Sequence, residues 1–168
     1  MARVDWWSLT NEELALQCDE DRYRASGPGG QKRNKTESAI RLRHRPTSLI
    51  VTAVESRSQH ENRARALRRL REALAFSLRQ PIDTENIPSL LLDAAHHRTL
   101  HIGRKDPSFL PVAASLLDLL AEKGGRLSTV GDCLETSTGS LVRFLRSEGD
   151  MWKEVQRIRR ENDLPLLR

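Results

Sequence analysis

Ser26-Gly27-Pro28-Gly29-Gly30-Gln31 is the stretch of this chain best suited to chemistry, although it contains no histidine, cysteine or carboxylate. Three glycines and a proline at consecutive positions set the backbone in conformations that other residues avoid. Such a loop can turn bare N–H groups toward a ligand without side chains in the way. For a glycine pair in general, an ordinary surface turn is the commoner outcome. A phosphate-binding P-loop is excluded, because neither Ser nor Thr follows Lys32 and the glycine spacing is wrong. A dinucleotide fingerprint is excluded as well, since no G-x-G-x-x-G follows a strand. No Ser-His-Asp or Cys-His constellation stands elsewhere in the chain.

Cations crowd around this loop. From Met1 to Asp21 the charge balance is −5, whereas Arg22 to Arg79 holds fifteen Lys or Arg against four Glu, a balance of +11. The whole chain carries only +5. A concentrated basic block in a nearly neutral protein points to a specific polyanion, with RNA as the leading partner and a steep salt dependence. Aromatic residues make up only 4%, so charge must do more than stacking. A lone arginine is most often a solvated surface charge; the reading rests on the block. Its candidate phosphate contacts are Arg24, Lys32, Arg33, Lys35, Arg41, Arg43, Arg57 and Arg63.

Metal chemistry is not expected. His97 and His101 would share a helical face, and His96 is adjacent, but Gly103 and the weak helical pattern tell against a helix. No carboxylate or cysteine accompanies them in a known ligand pattern, so neither metal nor cofactor is anticipated. Cys18 and Cys133 stand far apart and outside any CxxC, which suits a reduced, cytoplasmic setting. The N-terminus lacks an apolar targeting segment and no 18-residue apolar run occurs, so neither secretion nor membrane insertion is expected.

The elements that must position the loop follow from periodicity. Thr10 with Glu12, Glu13, Leu14 and Leu16 reads as a short capped helix. Residues 21–25 form a strand entering the loop, which runs from Ser26 to about Lys35. Ile40, Leu42 and His44 alternate with Arg41, Arg43 and Arg45, the period of a half-exposed strand with a basic outer face. Pro46-Thr47-Ser48 is a turn, and residues 49–54 are a more buried second strand of a hairpin. Ala64, Leu67, Leu70, Leu74 and Leu78 then mark a helix over 61–78, with arginines on its other side and Pro81 ending it. Residues 86–103 are ambiguous, with a short helix around 90–95. Beyond Asp106 everything reads as helix: a stripe of Phe109, Val112, Leu116, Leu117 and Leu120 closed by Gly124-Gly125, a short helix capped by Ser128, a turn at 135–137, then helices carrying Leu141, Phe144 and Leu145, and Trp152, Val155 and Ile158. Short helix, tight turn and second helix give a helix-turn-helix outline.

Several short motifs stand in order along the first half: Arg24-x-Ser26-Gly27-x-Gly29-Gly30-Gln31, Asn34-Lys35-x-Glu37-Ser38-Ala39, Arg41-Leu42, Pro46-Thr47 and Arg57-Ser58-Gln59-His60-x-Asn62. The run from Arg24 to about Leu78 resembles the catalytic domain of class I peptide chain release factors and their codon-independent ribosome-rescue relatives. The resemblance implies a ribosome-dependent carboxylic ester hydrolase that cleaves peptidyl-tRNA. In it Gly29, Gly30 and Gln31 are the catalytic tip: the Gln31 main-chain N–H stabilises the oxyanion, an effect on the order of 10²–10³ in rate. The Gln31 side chain selects water, and large-subunit rRNA completes the site. Ser26, Gly27, Pro28, Asn34 and Glu37 support the loop, while Ser58, Gln59 and Asn62 fix the following turn and helix start.

The resemblance has two departures. Relatives show glycine after Pro-Thr, where this chain has Ser48. Only 23 residues precede Arg24, which leaves no room for a codon-reading domain and favours a rescue role. Rescue hydrolases often end in a basic disordered tail, but residues 100–168 hold eleven basic and ten acidic residues with regular apolar spacing, and should fold. That part would bind RNA through Arg143, Arg146, Arg157, Arg159 or Arg160, dock on a ribosomal protein, or serve only as a helical cap. The expectation is therefore an α+β chain. A release-factor-type domain over 1–85, a β-hairpin on a long helix with an exposed GGQ loop, leads through a connector over 86–105 to a helical domain over 106–168. It is expected to act as a monomer on the ribosome and peptidyl-tRNA. The alternative is an RNA- or ribosome-binding module without hydrolase activity.

Overall fold

Burial falls into two separate cores in the computed structural model, which describes residues 6–24 and 38–168. The chain divides between them at Leu74 and Ala75. The fold is mixed α/β, with a three-stranded sheet and seven α-helices among the described residues.

In the first unit, α1 (Asn11–Leu16) begins where the sequence places it. Thr10 Oγ1 accepts the Glu13 N–H at 3.2 Å, and the Glu13 carboxylate accepts the Thr10 N–H at 2.8 Å. This reciprocal capping box satisfies donors that the helix itself leaves open. Strand β1 (Cys18–Tyr23) starts three residues earlier than expected, because its run of charges hides the alternation. It pairs antiparallel with β2 (Ala39–His44), which pairs antiparallel with β3 (Ile50–Ala53). The hairpin is as expected, but β3 is less buried: Ile50 is 58% exposed and only Ala53 is fully covered.

Register assigns the faces. Cys18, Glu20, Ile40, Leu42, His44, Val51 and Ala53 share one side; Asp19, Asp21, Arg41, Arg43, Ile50 and Thr52 share the other. Helix α2 (Gln59–Ser77) covers the first side with Asn62, Ala66, Leu67, Leu70 and Leu74. Ala64, expected in that stripe, is exposed. The helix stops well before Pro81. Arg79 Nη2 donates to the Ala75 carbonyl at 2.7 Å, and the Gln80 N–H donates to Asp118 at 3.0 Å, so the chain has left the helix already.

His44 is a buried polar group with both ring nitrogens engaged. Nε2 donates to Gln17 Oε1 at 3.0 Å and Nδ1 accepts the Thr47 hydroxyl at 2.8 Å, an arrangement that suits the neutral ring. Trp6 packs edge-on against it at 5.6 Å. Ser48, in the turn between β2 and β3, takes φ 58°, the left-handed region that glycine enters without cost.

The second unit is built on α4 (Phe109–Glu122), whose residues from Val112 to Leu120 are all buried. The expected stripe of Phe109, Val112, Leu116, Leu117 and Leu120 lies in this core. Gly124 and Gly125 close the helix at φ 58° and 75°, with the Gly125 N–H donating to the Leu120 carbonyl at 2.8 Å. Around α4 stand α3 (Ser89–Ala94), α5 (Leu127–Cys133), α6 (Thr138–Leu145) and α7 (Gly149–Glu161). Between α3 and α4 lies an unanticipated two-residue hairpin, β4 (Ala95–His96) and β5 (Thr99–Leu100), with His97 and Arg98 at positive φ in its turn. His97 and His101 therefore do not share a helical face. Arg126, not Ser128, precedes α5, and no side chain caps that helix. Ser137 caps α6 by accepting the Ser140 N–H at 3.2 Å.

Candidate functional site

The register pairs Tyr23 with Ala39, so the chain leaves β1 and enters β2 at directly opposed residues. The connection between them carries Gly29, Gly30 and Gln31. These three, together with Ser26, Gly27, Pro28, Lys32, Arg33, Asn34, Lys35 and Glu37, lie outside the described residues.

The return end of that connection is held from α2. Asn62 is completely buried and its side chain donates to the Ser38 carbonyl at 2.6 Å and to the Ser56 carbonyl at 2.8 Å. Its Oδ1 accepts the Ser56 N–H at 2.9 Å. One amide thus ties the residue before β2 to the turn that starts α2. The Ser58 hydroxyl accepts the Glu61 N–H at 3.3 Å, so Ser58 and Asn62 have the structural role expected of them. The reach of Asn62 to Ser38, 24 positions away, had no signal in the sequence.

Electrostatics around the sheet differ from the picture drawn by the charge balance. Arg41 donates to Asp21, its direct cross-strand partner, at 2.7 Å. Arg45 donates to Asp19 at 3.1 Å and Arg63 to Glu20 at 2.8 Å. Burial alone would raise the Glu20 carboxyl, but the bonds from Arg63 and Arg22 hold it below the usual carboxylate range. The acidic N-terminal stretch and the basic block, distinct in sequence, interleave strand by strand. Arg69 likewise donates to Glu55 and holds its carboxyl down at about 2. Arg71 donates to the Leu9 carbonyl and to Asn11.

Of the expected phosphate contacts, Arg41 and Arg63 are thus engaged within the sheet and helix. Arg24 is exposed at the end of β1. Arg43 and Arg57 are exposed without an ion-pair partner among the described residues. In the second unit Arg159 is buried and pinned to the Gly125 and Pro165 carbonyls, at 2.7 and 2.8 Å. Arg157 is held by Glu154 and Glu161. Arg143 and Arg160 are exposed, and Arg146 lies 4.7 Å over the Trp152 ring. No group of metal-ligating side chains occurs among the described residues, and no helix among them is long and apolar enough to cross a membrane.

Comparison with known proteins matches residues 10–89 to the RF-1 domain. Peptide chain release factor 1 of Leptothrix cholodnii is 50% identical over 100 residues, covering 58% of this chain and 26% of that protein. Peptide chain release factor 1 of Anaplasma marginale is 44% identical over 79 residues, covering 44% and 22%. Peptide chain release factor 2 of Neorickettsia sennetsu is 49% identical over 67 residues, covering 37% and 18%. The chain spans about a fifth to a quarter of the length of these relatives. The matched segment contains both the Gly29-Gly30-Gln31 connection and the sheet and helix that anchor it. Residues 10–89 are an RF-1 domain, the domain of the class I peptide chain release factor family.

Proposed function

We propose that this chain promotes hydrolysis of the peptidyl-tRNA ester in the ribosomal peptidyl transferase centre, and does so without reading a codon. The observation that supports this reading is an RF-1 domain with its Gly29-Gly30-Gln31 triplet intact between two register-paired strands. An ester with an alkoxide leaving group needs a placed water and a donor for the developing oxyanion. The Gln31 main-chain N–H is that donor, Gly29 and Gly30 give it its backbone freedom, and rRNA supplies the rest of the site. Arg24, Arg43 and Arg57, with Lys32, Arg33 and Lys35 beside the triplet, contact phosphates of the large subunit and the tRNA acceptor end. The α5–turn–α6 segment, which follows this domain in the sequence, is a helix-turn-helix unit.

The deciding experiment measures release of labelled peptide from purified ribosomes stalled with and without a stop codon in the A site. Comparable release from both complexes, lost in Gly30→Ala while ribosome association persists, is the expected result. Association without release by the unaltered chain would establish a binding module instead. Release only at a stop codon would refute codon independence.

A further inference from the structure

A groove in the second unit fits an anionic ligand that also has a flat apolar part. It lies between the segment 99–104 and α6, with a volume of about 380 Å³. Its floor is apolar: Leu100, Ile102, Phe109 and Phe144, the two rings tilted at 54° with centroids 5.6 Å apart. Its rim carries Arg143 from α6 and Arg104 from the facing segment. Arg143 is exposed and has no ion-pair partner among the described residues, whereas Arg104 is paired with Glu148. Lys105 and Arg146, both exposed, flank the same segment and helix.

Against Asp106 and Glu148, the four cations Arg104, Lys105, Arg143 and Arg146 leave an excess of two positive charges over residues 99–106 and 140–148. Residues 75–168 hold thirteen basic and thirteen acidic side chains, so the unit as a whole is neutral. An anion drawn to this unit has reason to bind here and not over its surface at large.

We infer that the groove receives an unpaired nucleotide of single-stranded RNA, with its base over the apolar floor and a flanking phosphate on Arg143. Recognition of RNA commonly takes this form, with a splayed base held in a pocket and phosphates fixing its position. The volume suits one base. An acidic peptide fits the charge equally well but not the backbone chemistry. The Leu100 N–H already donates to Ser140 Oγ at 2.8 Å, and the His101 N–H donates to the Ala94 carbonyl at 3.2 Å. An extended peptide would find these main-chain donors occupied. The inference needs no ribosome and stands apart from the peptide-release reading.

The test uses the full chain and a fluorescein-labelled ten-nucleotide oligouridylate, with binding followed by anisotropy across a salt series. Arg143→Ala removes one phosphate contact and lowers the log–log salt slope by about 0.7, the single-strand value per phosphate. Ile102→Glu sets a carboxylate in the floor and weakens binding by about tenfold. Urea midpoints check that both variants remain folded; should Ile102→Glu unfold, the exposed Arg143 carries the test alone. Because the basic residues of the RF-1 domain also attract RNA, photo-crosslinking with 4-thiouridine locates the contact, expected within 99–104 and 140–147. Wild-type binding and slope in both variants, with crosslinks confined to the first unit, overturn the inference. So does an oligoglutamate peptide that binds in place of RNA and is lost in the same variants.

Discussion

Replacing Asn62 tests whether one buried amide holds the root of the Gly-Gly-Gln connection. Its side chain makes three hydrogen bonds, to the Ser38 and Ser56 carbonyls and from the Ser56 N–H, and no part of it reaches solvent. Asn62→Ala strands these groups in the core. A buried polar group left unpaired costs about 1–3 kcal/mol, and the three are neighbours, so their costs do not simply add. We expect a loss of about 2–4 kcal/mol in urea unfolding. Asn62→Asp separates donor from acceptor: it can still accept the Ser56 N–H but faces two carbonyls with a carboxylate. Burial beside two acceptors raises the introduced carboxyl above its unfolded value, so the neutral form is favoured in the folded protein. The deficit of Asn62→Asp relative to wild type should therefore be largest at pH 7 and shrink as pH falls toward 5, while that of Asn62→Ala stays nearly constant. A cost for Asn62→Ala below about 0.5 kcal/mol, the level of an ordinary surface change, would refute the reasoning. So would parallel pH profiles for the two variants.

Three further outcomes follow from the geometry. Gly131→Ala should destabilise by about 1–3 kcal/mol, because a Cβ there would stand 2.6 Å from the Thr136 carbonyl, whereas Gly139→Ala, with nothing within 4 Å, should be neutral or mildly stabilising; thermal unfolding distinguishes them. Burial, with Arg45 adding to it, holds the His44 ring below its usual pKa, so the unfolded chain binds the proton more readily. The contribution of His44 is thus complete above the unfolded value near 6.5 and lost as pH falls through the folded one, and His44→Gln should lessen the stability lost between pH 7.5 and 5.5 in urea titrations. Ser48→Gly relieves a left-handed serine and should raise stability by about 1 kcal/mol, measured as a higher urea midpoint at unchanged slope.

What was legible in the sequence is what depends on local pattern. Thr10 announces its helix cap, the 40–45 alternation gives β2 and its faces, and the stripe from Phe109 to Leu120 gives the core of the second unit. Strand β1 was not legible in full, because Cys18-Asp19-Glu20-Asp21-Arg22 shows no apolar alternation; its backbone ladder to β2 places it in the sheet, where its carboxylates meet arginines on other elements. Nor could spacing distinguish Ala64 from Ala66, since small residues carry little hydrophobic signal on either side of a stripe. The β4–β5 hairpin has too few residues for any period. The Gly-Gly-Gln triplet was readable as a motif, but the amide that holds the residue before β2 was not, because Ser38 and Asn62 meet only through the fold.

The acidic strand beside the basic one has a consequence for selectivity. Asp19, Glu20 and Asp21 occupy Arg45, Arg63 and Arg41 in the way that a nucleic acid's phosphates would, so the domain carries a built-in competitor for its own cations. A random polyanion drifting past gains less from that sheet, since contacts to Arg41, Arg45 and Arg63 must displace ones already made and, of the outer-face arginines, Arg43 alone has no ion-pair partner among the described residues. On the proposed reading, strong attachment then calls for a ligand whose shape engages many points together, a preformed surface more than bulk RNA.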